Sequence, residues 1–270
     1  MPTTAFLLAL GAAVLHATWN LLLAGAPDPR AATAAALATA LVVFAPVAAL
    51  AGGVDGAAIP YVVASAALET AYFLLLSAAY RSGDLSAVYP VARGAAPVLV
   101  LLAGIAGLGG QVGALQVLGV VLAGAGVVAV QRGHETAIVL ALATAATIAG
   151  YTLVDHAGLR HADPLPYLWL VTAPSAVLTV ALTAREQGAP AVVAAFTPRT
   201  VVAGLATFAA YGLVLAALQR APAAPVAAVR ETSIVLAVAA GALLLHEPVG
   251  RLRWAGAIAV TGGVALVALG

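Results

Sequence analysis

Ten apolar stretches of about 20 residues follow one another along almost the entire chain. A transmembrane helix needs about 20 consecutive, mainly apolar residues, so each stretch is long enough to cross a bilayer. The composition agrees, because 8% of the residues are charged, against about 25% in soluble domains. The sequence therefore predicts an all-α integral membrane protein with ten transmembrane helices, at residues 3–25, 31–51, 58–80, 85–107, 114–131, 135–157, 165–184, 199–219, 222–244 and 251–269.

The second half of the chain repeats the first. Residues 93–130 align with residues 230–267, 137 positions later, and 13 of the 38 aligned positions are identical. The identities include Arg93 with Arg230 and four pairs of glycines. We therefore divide the chain into two five-helix repeats, residues 1–133 and 134–270. Because each repeat has an odd number of spans, the copies are predicted to be inverted across the membrane, an arrangement typical of alternating-access transporters.

The composition and the motifs argue against several classes of function. The chain has no cysteine and a net charge of +1, so neither thiol chemistry nor nucleic-acid binding is predicted. It has no phosphate-binding loop, dinucleotide fingerprint or nucleophile elbow, so we predict no cofactor and no enzymatic activity. His246 and Glu247 are adjacent, but no second histidine is spaced to complete a metal site.

The arginines are distributed unevenly between the predicted loops. The even-numbered loops contain only Arg160 and Arg220. The positive-inside rule therefore predicts that the odd-numbered loops lie in the cytoplasm and both termini outside. The arginines of the odd-numbered loops are Arg30, Arg81, Arg132, Arg185, Arg199, Arg251 and Arg253.

Four ionisable residues lie well inside predicted spans: Glu69, Arg93, Arg230 and Glu231. A charged side chain inside a membrane is costly, so each is a functional candidate. Glu69 is predicted to couple transport to protons or cations, or to act as a counter-ion for the substrate. Alternatively, it forms a structural ion pair with Arg93.

Arg93 and its repeat-mate Arg230 suggest a central site between the two repeats. Pro90 and Pro97 bracket Arg93, and proline frees backbone carbonyls in a helix. A guanidinium binds a carboxylate or phosphate in a forked geometry, so the pair predicts an anionic or zwitterionic substrate. The alternative is that each arginine only stabilises the bundle. Glu231, about 100° from Arg230 on an ideal helix, is a candidate for coupling or gating, as is Glu69.

Polar and aromatic side chains recur on one face of several predicted helices. Such faces predict a polar interior surrounded by lipid-facing Ala, Val and Leu. The alternative is that each polar group is satisfied by a neighbouring carbonyl. Together with the arginines, they give the predicted substrate-binding set: His16, Trp19, Asn20, Glu69, Tyr72, Tyr89, Arg93, Tyr151, Asp155, Tyr211 and Arg230.

The chain resembles the EamA-type members of the drug/metabolite transporter superfamily over nearly its whole length. The most specific stretch, residues 243–263, is similar to the family's "LxE…GxxxIxxG" pattern, with Glu247 as the acidic residue. Residues 15–20 and 83–94 also resemble members of the family. The first copy departs, since Gly109-Gly110-Gln111 stands where the acidic residue is usual. The resemblance implies two inverted repeats around a central cavity, both termini in the cytoplasm, and export of small metabolites driven by a gradient.

These observations favour a secondary transporter, and an exporter in particular, of a small polar or amphipathic metabolite such as an amino acid. It would be a multi-pass protein of the plasma (inner) membrane, with lipid as a partner and a homodimer as one possible assembly. A flippase for a lipid-linked precursor is the alternative within transport. An intramembrane lipid-modifying enzyme would need a pair such as Asp155 and His156, whose side chains diverge on a helix. A structural subunit would have a sealed core.

Overall fold

The computed structural model describes residues 1–108, 113–130, 135–218, 220–221, 226 and 229–269. The predicted seam at residues 132–134, the segment 109–111, Pro222 and Pro225 therefore lie outside the described residues, as does the side chain of His156. The described chain is all-helical apart from short connections. Its helices are α1 (Thr3–Ala24), α2 (Pro29–Leu50), α3 (Ile59–Ser82), α4 (Leu85–Leu108), α5 (Ala114–Val130), α6 (Glu135–Gly158), α7 (Pro164–Gln187), α8 (Ala189–Ala194), α9 (Pro198–Leu218), α10 (Ser233–Leu244) and α11 (Arg251–Leu269), with one turn of 3-10 helix at Gly56–Ala58.

Most of these helices can cross a membrane. In the described part of the chain, seven are long and apolar enough, and three further apolar helices are shorter. The prediction of an all-α membrane protein is confirmed, whereas the ten-span layout stays a prediction. The short α8 was not predicted. The seven long segments are Thr3–Ala24, Pro29–Leu50, Gly56–Ser82, Leu85–Ala103, Thr136–Asp155, Pro164–Gln187 and Arg251–Leu269, and the shorter ones are Ala114–Ala129, Pro198–Val214 and Ser233–Leu244.

Local sequence sets several helix ends. Asp28 Oδ1 accepts hydrogen bonds from the N–H groups of Arg30 and Ala31, and Pro29 is the first residue of α2. Such an N-cap supplies a partner to N–H groups that have none within the helix. The helix α7 ends at Gly188, whose φ of 90° lies in the region that favours glycine.

The predicted span 222–244 is not one continuous helix. A turn at Glu231 and Thr232 separates the helical residues Val229 and Arg230 from the start of α10 at Ser233. Thr232 contributes to the turn, because its N–H and its hydroxyl both bond to the carbonyl of Val229, at 3.1 and 2.7 Å. The predicted α-helical divergence of Arg230 and Glu231 is therefore wrong, and their side chains meet.

The two repeats interlock along their length. Helix α1 packs on α9, and α6 packs on α3. The offset of 137 residues aligns α1 with α6, its mate in the repeat, and α3 with its mate α9. The contact of α1 with α9 therefore corresponds, within the repeat, to the contact of α6 with α3. Both contacts join one repeat to the other, and the core between them is a continuous cluster of buried apolar residues.

The mates α5 and α11 pack antiparallel with their backbones in contact. A Cβ atom on Gly119 would lie 2.6 Å from the carbonyl oxygen of Gly263, and one on Gly126 would lie 2.6 Å from that of Gly256. Glycines allow this approach because they have no side chain, as in other membrane helix pairs. Two of the four glycine pairs that recur in the repeat, Gly119 with Gly256 and Gly126 with Gly263, are thus residues through which these helices meet.

Candidate functional site

An ion cluster lies at the helix break before α10. Arg93 Nη2 is 2.8 Å from Glu231 Oε1, and Arg230 Nη2 is 3.2 Å from the same oxygen. The side chain of Glu231 is 1% exposed, whereas that of Arg230 is 26% exposed. The predicted ion pair between Glu69 and Arg93 is therefore wrong, since the partner of Arg93 comes from the other repeat.

This cluster carries more positive than negative charge. Two guanidinium groups share one carboxylate, which leaves an excess of one positive charge. Within the described residues, Arg93 Nε and Glu231 Oε2 are buried without a hydrogen-bond partner. Buried polar groups in proteins are normally paired, so these atoms mark a place where a ligand group or water can bind.

A cavity of about 420 Å³ lies beside the cluster. It is partly open, and apart from the charged groups its walls are almost entirely apolar. The C-terminal halves of α4, α6 and α11 form these walls. The lining residues are Arg93, Ala96, Pro97, Val100, Leu101, Ile148, Thr152, Arg230, Glu231, Val264, Val267 and Ala268; we call this space the arginine cavity.

A second, smaller cavity of about 60 Å³ lies between α1, α2, α3, α6, α7 and α9. Aromatic rings form much of its wall, and Glu69 is its acidic residue. Six of the predicted substrate-binding residues are brought together here. The lining residues are His16, Trp19, Ala40, Glu69, Tyr72, Phe73, Tyr151, Leu168, Thr172, Thr207, Phe208 and Tyr211; we call this space the aromatic cavity.

The orientation of His16 is fixed by its neighbour. Trp19 Nε1 donates a hydrogen bond to His16 Nδ1 at 3.0 Å. A neutral imidazole has one donor and one acceptor nitrogen, so a proton of neutral His16 resides on Nε2. The helical spacing of three residues, which suggested a shared face, produces this contact.

Glu69 is half-buried and makes no hydrogen bond or ion pair within the described part of the chain. Another acid, Asp155, contributes to the electrostatic environment of Glu69. A carboxylate in the membrane interior that the protein leaves without a counter-ion can be neutralised by a proton or by a cationic group of a ligand.

The two cavities adjoin. Arg93 interacts electrostatically with Tyr72 and Tyr151, which line the aromatic cavity. Both Arg93 and Arg230 interact in the same way with His16. The arginines therefore lie close enough to the residues of the aromatic cavity to affect their charge states.

Three residues predicted to bind substrate line neither cavity. Asn20 is 1% exposed and accepts a hydrogen bond from the hydroxyl of Tyr80. Tyr89 donates to Ser233 Oγ at 3.0 Å, and Asp155 accepts from the hydroxyl of Tyr167 at 3.0 Å. In this conformation each residue holds helices together.

The predicted substrate-binding set lacks six residues of the aromatic cavity, namely Ala40, Phe73, Leu168, Thr172, Thr207 and Phe208. Leucine and phenylalanine are the expected residues of any membrane helix, and a single threonine is usually satisfied by its own backbone. Phe208 stacks on Phe44, with ring centroids 4.2 Å apart. Its only sequence signal was its position directly after Thr207, on the face that also contains Tyr211.

The comparisons with known proteins agree with this architecture. No curated protein matches the chain. One solved crystal structure covers 100% of this chain and 99% of its own, with a TM-score of 0.65 at 18% identity, a likeness that shows the fold. The family described as the EamA-like transporter family matches residues 135–269. Because that match covers half of the 270 residues, the chain belongs to the EamA-like transporter family, which is a family of membrane transporters within the drug/metabolite transporter superfamily.

Proposed function

We propose that this protein is a secondary active transporter that exports a small polar or amphipathic metabolite, such as an amino acid, across the plasma membrane. The ion cluster carries the proposal. Arg93 and Arg230 share the single carboxylate of Glu231, so one guanidinium charge remains for an anionic group of the substrate. Forked pairing with a carboxylate is the interaction that a guanidinium makes best.

An amino acid with an aromatic side chain matches the chemistry of the two cavities. Its carboxylate would bind the arginines, and its ammonium group and ring would lie among Tyr72, Tyr151 and Trp19. A cation near aromatic faces gains further stabilisation. L-Phenylalanine therefore serves as a probe that has all three groups.

The packing of α5 on α11 supports an inverted repeat. Gly119 contacts Gly263, and Gly126 contacts Gly256. Because Gly119 aligns with Gly256 and Gly126 aligns with Gly263, replacing each residue by its aligned mate converts one contact into the other. A twofold axis across an antiparallel helix pair has this property. Such an axis lies in the membrane plane, as alternating-access transporters with inverted repeats require.

The contacts also favour moving units that differ from the two sequence repeats. One unit would consist of α3, α4, α6 and α7, and the other of α1, α2, α9 and α10, since α6 packs extensively on α3 and α4, and α9 on α1 and α2. Glu69, Tyr72 and Tyr151 then lie on one side of the aromatic cavity, and His16 and Tyr211 on the other. Rocking of these units would open the cavities to each side of the membrane in turn.

Counterflow of labelled L-phenylalanine into liposomes that contain the protein tests the proposal. Arg93→Ala and Arg230→Ala should each lower uptake by tenfold or more, since each removes a charge-assisted contact with the carboxylate, worth about 1.5–3 kcal/mol. Arg81→Ala is the matched control, because Arg81 is exposed at the end of α3. Uptake that survives both cavity variants would refute an arginine-lined substrate site.

The same liposomes test coupling. If Glu69 carries the coupling proton, wild-type uptake should respond to an imposed pH gradient and Glu69→Gln should not respond. Uptake without the gradient should persist in that variant, at reduced affinity, because the amide still lines the cavity but has no charge. A variant that keeps both uptake and its response to pH would show that the proton binds elsewhere.

Flipping of a lipid-linked precursor is the second candidate function. The arginine cavity supports it, because this space is partly open and places apolar walls from α4 and α11 beside a cationic cluster. An anionic headgroup would bind the arginines while its chain lies along those walls. Thermal stabilisation by a polyprenyl phosphate, with none by L-phenylalanine, would favour this candidate over the first.

A further inference from the structure

A carboxylate from the second repeat holds the start of α4. Glu247 Oε1 accepts a hydrogen bond from the N–H of Leu85 at 2.8 Å, and Oε2 accepts one from the N–H of Ser86 at 2.9 Å. The first N–H groups of a helix have no partner within it, and the helix dipole favours a negative charge there. Glu247 thus caps a helix that begins 162 residues earlier in the chain.

Neighbouring residues shape this cap. A Cβ atom on Gly241 would collide with Glu247 Oε2, so glycine leaves the space that the carboxylate occupies. The N–H of Glu247 donates to the carbonyl of Gly241 at 3.0 Å, which fixes the segment after α10. Arg253 Nη1 binds Ser86 Oγ at 2.9 Å and Asp84 Oδ2 at 3.0 Å, adding a cation that secures the residues around the cap.

The cap is the first of three polar contacts along one face of α4. Leu85, Tyr89 and Arg93 are spaced by four residues, so they follow one another on the same side of the helix. Their partners are Glu247, Ser233 and Glu231 respectively, all from the second repeat. Pro90 removes one backbone hydrogen bond between the start of α4 and Arg93, but the helix is continuous through it. A contact that fixes the start of α4 therefore still restricts the height and rotation of a residue two turns later.

We propose that Glu247 is a positioning residue for the substrate site, which it serves by holding α4 so that Arg93 reaches Glu231. While Arg93 pairs with the carboxylate of Glu231, the charge of Arg230 is only partly neutralised and can bind the anionic group of the substrate. This inference rests on the proposed function, because it gives Glu247 a role in binding the transported anion.

The other copy of the repeat lacks the residues that form this cap. The position that aligns with Glu247 is Gly110, and the position that aligns with Leu85 is Pro222. Glycine has no carboxylate and proline has no N–H to receive one, so the sequence provides neither half of the cap in the other copy. The sequence therefore predicts this cap only for the helix that carries Arg93.

A double-mutant cycle tests the positioning without any ligand. The Tm of the purified protein in detergent is measured for the wild type, Glu247→Gln, Arg93→Ala and the double variant. If Glu247 acts through Arg93, the double variant should lose clearly less than the sum of the two single losses, because contacting or coupled sites are non-additive. Additive losses would overturn the proposal. Glu186→Gln, the same change at the pair with Arg30, is the matched control and should be additive with Arg93→Ala.

Binding of L-phenylalanine gives the functional readout. Glu247→Gln should raise its Kd about tenfold, the factor expected if a cost of about 1.4 kcal/mol for losing the charged cap is transmitted to the binding site, and should raise it little further when Arg93 is already alanine. An unchanged Kd, despite faster amide hydrogen exchange at Leu85 and Ser86, would reduce Glu247 to a structural role and overturn the proposal. If the wild type does not bind L-phenylalanine, the proposed substrate is wrong, whereas the Tm cycle still decides whether Glu247 positions Arg93.

A milder variant covers the case in which Glu247→Gln does not fold. Gly241→Ala keeps every charge but displaces the Glu247 carboxylate, because the added methyl group takes its place. It should give the same non-additivity with Arg93→Ala and the same loss of affinity. Additivity in this cycle would equally contradict the proposal.

Discussion

Two helix pairs join the repeats of this transporter in opposite ways. Helices α5 and α11 meet through glycines, with backbone against backbone. Helix α4 meets α10 and its flanking residues through three separate polar contacts, made by Leu85, Tyr89 and Arg93. In each pair the partners align with one another in the sequence repeat, so two aligned helix pairs form a close-packed joint in one case and a polar one in the other.

The difference bears on which interface can move. A glycine surface has one close-packed arrangement, and any sliding costs contacts along its whole length. Polar side chains can exchange one partner for another, for water or for a ligand, at a smaller net cost. We therefore expect α5 and α11 to stay together through the transport cycle, while the contacts between α4 and the α10 region rearrange.

The largest effect should come from adding a methyl group to the close-packed joint. A Cβ atom on Gly263 would lie 2.5 Å from the backbone nitrogen of Ala123 and 2.6 Å from the carbonyl oxygen of Gly119. Backbone atoms cannot move aside as a side chain can, so Gly263→Ala should lower the free energy of unfolding by about 1–3 kcal/mol. Thermal unfolding in detergent measures this loss.

Gly124 on α5 provides the matched control. A Cβ atom there would meet nothing within 4 Å. Gly124→Ala should be neutral, or stabilising by up to about 1 kcal/mol, because alanine is the better helix former. Equal losses from the two substitutions would mean that helix propensity, rather than the contact between α5 and α11, decides the outcome, and the comparison of the two joints would fail.

The glycines of the close-packed joint could be recognised from the sequence, whereas the pairing of α5 with α11 and the polar joint could not. Glycine spacing and apolar length are local properties, and they located the helices and the recurring glycines. The partner of Arg93 is set by the tertiary fold, since depth in the predicted spans suggested Glu69 and nothing near Arg93 in the sequence indicated Glu231. The break at Glu231 escaped prediction because the apolar pattern runs through it, and the cap by Glu247 did so because its acceptor and donors lie far apart in the chain.

A smaller effect is expected within the polar joint. Tyr89→Phe removes the hydrogen bond to Ser233 and leaves that buried hydroxyl without its partner. The loss should be about 1 kcal/mol in the free energy of unfolding. Tyr61→Phe is the control, because no hydrogen bond of the Tyr61 hydroxyl exists within the described residues. A loss as large as that of Gly263→Ala would show that the contact between Tyr89 and Ser233 is as rigid as the glycine contacts between α5 and α11.

The smallest effect should come from an ion pair that belongs to neither joint. Arg30 Nη1 and Nη2 lie 2.5 and 2.7 Å from the two carboxylate oxygens of Glu186, and the Glu186 side chain is 54% exposed. Solvent screens such a pair, so Glu186→Gln should cost less than about 1 kcal/mol at low salt. In 1 M salt, where the Debye length is about 3 Å, the difference should vanish. A loss that equals that of Tyr89→Phe and persists in salt would mean that α2 and α7, rather than α4 and the α10 region, hold the moving units together.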